Sequence, residues 1–379
     1  MAYFANRAVN LLNLHYAIHS IALFGGGAFF FVYLLKAGLS LPGVLMAIAA
    51  VLAGRFLIRP AVVPLAVRFG LRRVLIIGTL LTAVQFPLLA AVDGIGPALF
   101  ALCAAASIGD TLYWTSYHAY FAYLGDTEHR GHQISAREAV VAIIGIVSPL
   151  ATGWALVAFG PAVAFGATAL VQLVAALPLI GTPDVTVARQ VPGAFKASVP
   201  GILLFITDGW IATGFIIVWQ IGLFTTLGES YMAYGGALAV AAVAGAVGGL
   251  LLGRHIDRGH GIKVLWLAVL ALAAAIALRA GALGHPALAV TANALGALVV
   301  CLYTPMLMTA VYNQAKRSPC PLRFHVATEG GWDAGGSCAC LITAALVSQG
   351  APLAAGVLLA LAGAAGAFVL LRRYYRAAH

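Results

Sequence analysis

The side chains able to do chemistry in this chain are few, and their spacing is regular. His15 and His19 are four residues apart, and Asp110, Trp114 and His118 follow one another at the same interval, with Tyr113 and Tyr117 beside them. On an α-helix that interval gathers side chains on one face. Asp208 with Trp210, and Glu329 with Asp333 one turn later, form two further groups, while Arg55 and Glu138 stand alone. A histidine beside a carboxylate can exchange a proton in the physiological range, or the two can ligate a transition metal. A static ion pair of Asp110 with Arg55 competes with both. For a lone histidine the plain alternative is a hydrogen-bonded packing residue, and His15 fits it.

The elements that carry these groups are strongly apolar. Hydrophobic residues make up 63% of the 379-residue chain and charged residues only 8%, against ~25% charged in soluble domains. No soluble fold hides that much apolar surface. Glycine, proline and charge punctuation predicts twelve apolar segments, at 8–35, 41–66, 74–92, 97–124, 137–158, 161–181, 198–226, 230–252, 263–283, 286–313, 328–350 and 352–372. Each is long enough to cross a bilayer. Ionisable residues at that depth are costly and point to function. The longest connection, 182–197, divides the chain into a first half, 1–181, and a second, 198–379. Basic residues cluster at one side, among them Arg7, Arg68, Arg72, Arg73, Arg254, Arg258, Lys263, Lys316, Arg317, Arg372 and Arg373, with only Lys36 and Arg279 on the other. This predicts a multi-pass protein of the cell (inner) membrane with both termini cytoplasmic. The first helix is too long for a signal-peptide core and is read as retained. The net charge of +10 belongs to that bias, so no nucleic-acid partner is expected. Five cysteines show no ligand spacing, and Cys338 and Cys340 read as small packing residues.

One polar turn between long apolar runs carries a pattern: Gly253-Arg254-His255-Ile256-Asp257-Arg258-Gly259-His260-Gly261-Ile262-Lys263. It resembles the loop between the second and third helices of each half of a major facilitator superfamily transporter. There an aspartate pairs with basic groups and a neighbouring helix end to latch the cytoplasmic gate. A weaker copy lies 190 residues upstream, where Arg68 matches Arg258, Arg73 matches Lys263, and Val67 stands at the place of Asp257. The resemblance therefore implies a gating set of Arg68, Arg72, Arg73, Asp257, Arg258 and Lys263. It also implies an all-α integral membrane fold of twelve transmembrane helices in two six-helix pseudo-symmetric halves.

In such a fold the first, fourth, seventh and tenth helices line a central cavity, walled here by Tyr113, Trp114, Tyr117, Trp210, Trp219 and Tyr303. Shifted by 189 residues, His19 falls on Asp208, and the two are expected to face each other across the pseudo-two-fold axis. Glu138 and Glu329, 191 residues apart, are expected to open the fifth and eleventh helices. Ser148-Pro149-Leu150-Ala151-Thr152-Gly153 is similar to the Gly-Pro-x-x-Gly-Gly signature of proton-driven antiporters. Ala105 stands where many relatives carry an arginine, and Arg55 is its candidate replacement.

The implied function is secondary active transport by alternating access: proton-coupled export of a small organic compound by a monomer in the lipid bilayer, with no cofactor and no resident metal. Asp208 is the first candidate proton carrier, tuned by His19, with Asp110 held by Arg55. The alternative is a carrier of a transition metal or its chelate, using His15, His19, His118, Asp110, Asp208 and Met306. A non-transporting sensor would have a broken gate, and the intact Asp257-Arg258 speaks against it. Enzyme chemistry is not expected: His15-x-x-x-His19 lacks the glutamate of a zinc-protease helix, and no glycine-rich loop is placed to hold phosphate.

Overall fold

In the computed structural model, which describes residues 6–124, 130–256 and 261–377, all regular structure among the described residues is helical. Twelve long helices follow one another: α1 (Arg7–Lys36), α2 (Leu41–Phe69), α3 (Leu71–Ala90), α4 (Pro97–Leu124), α5 (Arg130–Ala158) and α6 (Gly160–Ile180), then α7 (Ala194–Thr226), α8 (Tyr231–Ile256), α9 (Gly261–Ala282), α10 (Pro286–Arg317), α11 (Pro321–Ser348) and α12 (Leu353–Arg376). All but α11 are long and apolar enough to cross a membrane by length and composition alone. Glycines and two carboxylates lower the hydropathy of α11, yet it runs for 28 residues inside the bundle.

Several helices start earlier than their apolar runs, α5 at Arg130 and α11 at Pro321 by the most. Glu329 therefore lies within α11 instead of opening it. Apolar runs mark bilayer depth, whereas helices begin at caps and at prolines in their first turn. Asp257 and Arg258 fall outside the described residues, as do the side chains of Glu138 and Lys263.

Local chemistry shapes the long helices. The Asn6 side chain caps α1 by accepting from Val9 N at 3.1 Å, and Ser40 caps α2 from Gly43 N at 3.2 Å. Glycines 25 to 27 break α1 into a 3₁₀ turn, and α7 widens into a π-helical stretch over Thr213–Val218. Between α2 and α3, Gly70 has φ +82°, which frees the chain to turn. There Leu71 N donates to Val185 O at 3.0 Å, Arg72 N to Asp184 Oδ1 at 3.2 Å, and Arg72 Nη1 to Thr182 O at 2.8 Å. Arg73 lies 3.9 Å from the same carboxylate, while Arg68 packs over Phe69. Asp184, from the segment after α6, supplies the acid that Val67 does not.

The two sets of six helices meet along α2–α11 and α5–α8. On α11, Gly331 packs so closely on α7 that an added Cβ would come within 2.5 Å of Ile202 O. On its other side Ser337 Oγ donates to Ala49 O of α2 at 3.0 Å. Helix α11 is thus wedged between its own half and the other, and its side chains face both.

Candidate functional site

Arg55 and Arg59 lie one turn apart on α2, and Glu329 and Asp333 one turn apart on α11. The two i, i+4 pairs meet across the halves. Arg55 Nε is 2.9 Å from Asp333 Oδ1. Arg59 Nε donates to Asp333 Oδ2 at 2.9 Å, its Nη2 to the same oxygen, and its Nη1 to Glu329 Oε2 at 2.6 Å. Arg59 Nη1 also donates to Thr115 Oγ1 of α4 at 2.8 Å, and Thr115 donates in turn to Glu329 at 3.4 Å. Arg59 is 2% exposed and Asp333 fully buried. Buried charges persist only when paired and hydrogen-bonded, and these are.

Asp110 of α4 joins the edge of this network, 3.8 Å from Arg55 Nη1. The expected Arg55–Asp110 pair is present, but as the longer of two: the short partner of Arg55 is Asp333, which the sequence did not pair with it. Two guanidinium groups face three carboxylates, so one negative charge is in excess. Asp110 opens onto a cavity of about 270 Å³. Its apolar walls come from Phe30 and Phe31 of α1, Phe86 of α3, Trp114 of α4, Ile216 and Ile217 of α7, and Trp332 of α11. His19, Arg55, Thr82, Gln85, Asp110 and Gln172 supply its polar points.

The histidines separate by role. His15 uses both ring nitrogens, Nδ1 donating to Ala175 O at 2.6 Å and Nε2 meeting Tyr113 Oη at 3.2 Å. It is a packing residue. His19 pairs with Gln172 Oε1 of α6 at 2.9 Å and stacks on Tyr113 at 4.1 Å. His118 stacks against Trp114 at 5.8 Å and approaches His325 of α11 at 6.5 Å, again across the halves. Tyr117 packs on Tyr16 and accepts from Arg137 Nη1 at 2.8 Å, away from the cavity lining.

Four more expectations are corrected. His19 and Asp208 do not meet: Asp208 lies against Trp332 and Tyr303 and is not among the cavity-lining residues. A one-residue slip in the repeat offset turns a helical side chain by ~100°, and the 189-residue shift differs by one or two from the offsets of 190 and 191 that matched the loops and the glutamates. Trp210 turns outward and donates to Leu359 O of α12 at 2.9 Å. Trp219 is buried in the core, donating to Asn293 Oδ1 at 2.9 Å, and Tyr303 is likewise core. Among the described residues no lining residue comes from α10; α2, α3, α6 and α11 contribute instead. Arg59, Thr115, Gln172, His325 and Trp332 were not singled out from the sequence, although the four-residue interval of Arg55 and Arg59 mirrors that of Glu329 and Asp333.

Twelve membrane-length helices and a cavity between two six-helix sets, bridged by buried charge, define a secondary transporter. The sequence matches the Major Facilitator Superfamily over residues 14–319, and the chain belongs to that family. It is similar in fold to an auto-inhibited POT family peptide transporter, with TM-score 0.68, 13% identity, and coverage of 98% of this chain and 96% of that one. The POT family transporter PepTSo gives TM-score 0.68 at 11% identity, covering 98% of each chain. No curated protein sequence matches it.

Proposed function

We propose that this transporter exports a small organic compound in exchange for protons, working in the inner membrane with both termini in the cytoplasm. The observation that carries the reading is the charge network with one carboxylate in excess. Its members sit on both halves, so any rocking of the halves must break pairs in it, and Asp110, the loosely held member, faces the cavity. A proton on Asp110 would remove the excess charge and free Arg55 to follow Asp333 alone. Substrate and proton then act on the same interface, which is what coupling requires. The antiporter-like Ser148–Gly153 stretch supports exchange as the direction: its Pro149 lies where α5 packs on Gly235 of α8. Asp208 becomes the second candidate carrier, because it lies against Trp332 and Tyr303 and is not among the cavity-lining residues.

The metal reading has less support. Among the described residues no group of three His, Cys, Asp or Glu side chains converges to hold an ion.

Proteoliposome transport tests the proposal. Asp110→Asn is expected to abolish accumulation driven by a pH gradient, and Asp208→Asn is expected to keep most of it. If Asp208→Asn alone abolishes accumulation, the coupling site lies there instead.

A further inference from the structure

We infer that the cavity selects a small organic cation bearing N–H donors, a primary amine or an amidine and not a quaternary ammonium, through His19 Nε2 and the Asp110 carboxylate. The inference rests on the transporter reading and names the substrate class of that same cavity.

Hydrogen bonding fixes which ring nitrogen of His19 has a lone pair. Gln172 Nε2 donates to Thr79 O at 3.4 Å, which turns the Gln172 amide oxygen toward His19. That oxygen can only accept, so His19 Nδ1, at 2.9 Å, carries the proton. The other ring contacts of His19 are His15, Tyr16, Tyr113 and Trp114, none of them acidic. In the neutral imidazole Nε2 is then an acceptor. His19 is 3% exposed, lines the cavity, and Nε2 has no hydrogen-bond partner among the described residues. A ligand that donates a hydrogen bond there satisfies it; one that only accepts does not.

The second polar point is Asp110. Arg59 is held by Glu329 and Asp333, and Arg55, which also lines the cavity, faces Asp333 at 2.9 Å, so both guanidinium groups have a close carboxylate and Asp110 at 3.8 Å is the group left short of charge. His19 Nε2 and the Asp110 carboxylate thus both accept, on a lining that also holds Arg55, Thr82, Gln85 and Gln172. The walls carry the aromatic side chains Phe30, Phe31, Phe86, Trp114 and Trp332, a setting that favours a cation, and Arg55 already lies over the Trp332 ring at 5.5 Å. At about 270 Å³ the space is at the lower end for ligand pockets, which suits a single-ring amine. Because an ammonium and a proton would neutralise the same carboxylate, binding of one displaces the other.

Isothermal titration of the full chain in nanodiscs tests this with 2-phenylethylamine, benzamidine, N,N,N-trimethyl-2-phenylethylammonium, 2-phenylethanol and 3-phenylpropanoate. The amine and the amidine are expected to bind, the trimethyl compound about tenfold more weakly, and the alcohol and carboxylate not measurably. Asp110→Asn should lose the amine. His19→Phe should bring the amine and trimethyl affinities together, and His19→Gln, which keeps an acceptor, should separate them again. Equal affinity for the amine and its trimethyl analogue, preference for the alcohol or carboxylate, or no binding of either donor compound overturns the inference; these wild-type measurements decide it even if His19→Phe does not fold. Proton-driven flux of the carboxylate would sink the cation selectivity and leave coupled transport standing. Amine binding without any proton-driven flux would do the reverse.

Discussion

Arg59 shows how a single buried charge organises the interface. Its guanidinium is nearly inaccessible and is held by Glu329, Asp333 and Thr115, from two other helices. Desolvating such a group is offset only while its partners stay in place, so truncating it leaves two carboxylates close together in an apolar setting. Arg59→Ala is therefore expected to destabilise the folded protein by about 3–5 kcal/mol, read as a lower thermal unfolding temperature in detergent. Replacing Arg59 with Met together with Glu329→Gln should recover much of that loss, because Asp333 then still pairs with Arg55 and no carboxylate is left without a cation. An Arg59→Ala protein that unfolds with the wild type would show that the interface does not depend on this charge. Asp110 is the contrasting residue. With its side chain 23% exposed and a single loose partner, its neutralisation should leave stability nearly unchanged, so a transport defect in Asp110→Asn reads as function.

At the scale of the element, α7 departs most from a regular helix. The π-helical stretch Thr213–Val218 leaves the carbonyl of Phe215 to accept from Arg279 Nη1 of α9. The arginine lies over the rings of Phe215 at 3.8 Å and Trp219 at 5.1 Å. In a bilayer a freed carbonyl must find a donor, and a planar cation between aromatic faces is suited to reach it. Arg279→Met should lower stability by about 1–3 kcal/mol, and Arg279→Lys should not restore it, since an ammonium does not stack. Full rescue by lysine would show that charge alone matters. This element also marks the boundary of what the sequence discloses. Helix number and the half-chain repeat were readable because a bilayer demands long apolar runs, and α11 was found despite its low hydropathy because Leu341 to Val347 completes its run. Azimuth was not readable: whether Asp208 faces His19 or Trp332 turns on a single residue of register, and the breaks in α1 and α7 shift that register locally. Arg279, placed from sequence as a surface charge, proved buried for the same reason, since its partner is a carbonyl exposed by a bulge no motif announces. Conversely, Arg55, Asp110, Glu329 and Asp333 were all noted as charges at depth, but their pairing across α2, α4 and α11 depends on which helices touch.

At the scale of the whole molecule, the two ends of the bundle are closed by contacts of very different strength. At the end bearing Arg72, Lys316 and Arg317, the halves are joined by Arg59–Glu329 and the approach of His118 to His325, and Arg323 donates to the carbonyl of Arg189 in the connecting segment at 2.8 Å. At the opposite end the charge contact is Lys36–Glu229 at 3.1 Å, with both side chains about two-fifths exposed, beside Tyr234 donating to Ala28 O at 3.1 Å. An exposed pair is worth ~0–1 kcal/mol, whereas breaking a buried one costs several times that. Alternating access requires each end to open in turn, so the balance between the conformations should be set by the buried network and hardly at all by the exposed pair. In a background lacking Cys103, Cys301, Cys320, Cys338 and Cys340, a cysteine introduced at His118 reports opening of the first end, and one at Phe30 reports the second. Glu329→Gln is expected to raise thiol labelling at position 118 by about tenfold, as a shift of ~1.4 kcal/mol would, because Arg59 then loses one of its two charged partners on α11. Lys36→Ala is expected to change labelling at position 30 by less than about twofold. If Lys36→Ala moves the equilibrium more than Glu329→Gln does, the latch lies at the exposed end, and the buried network holds the helices together without governing which end opens.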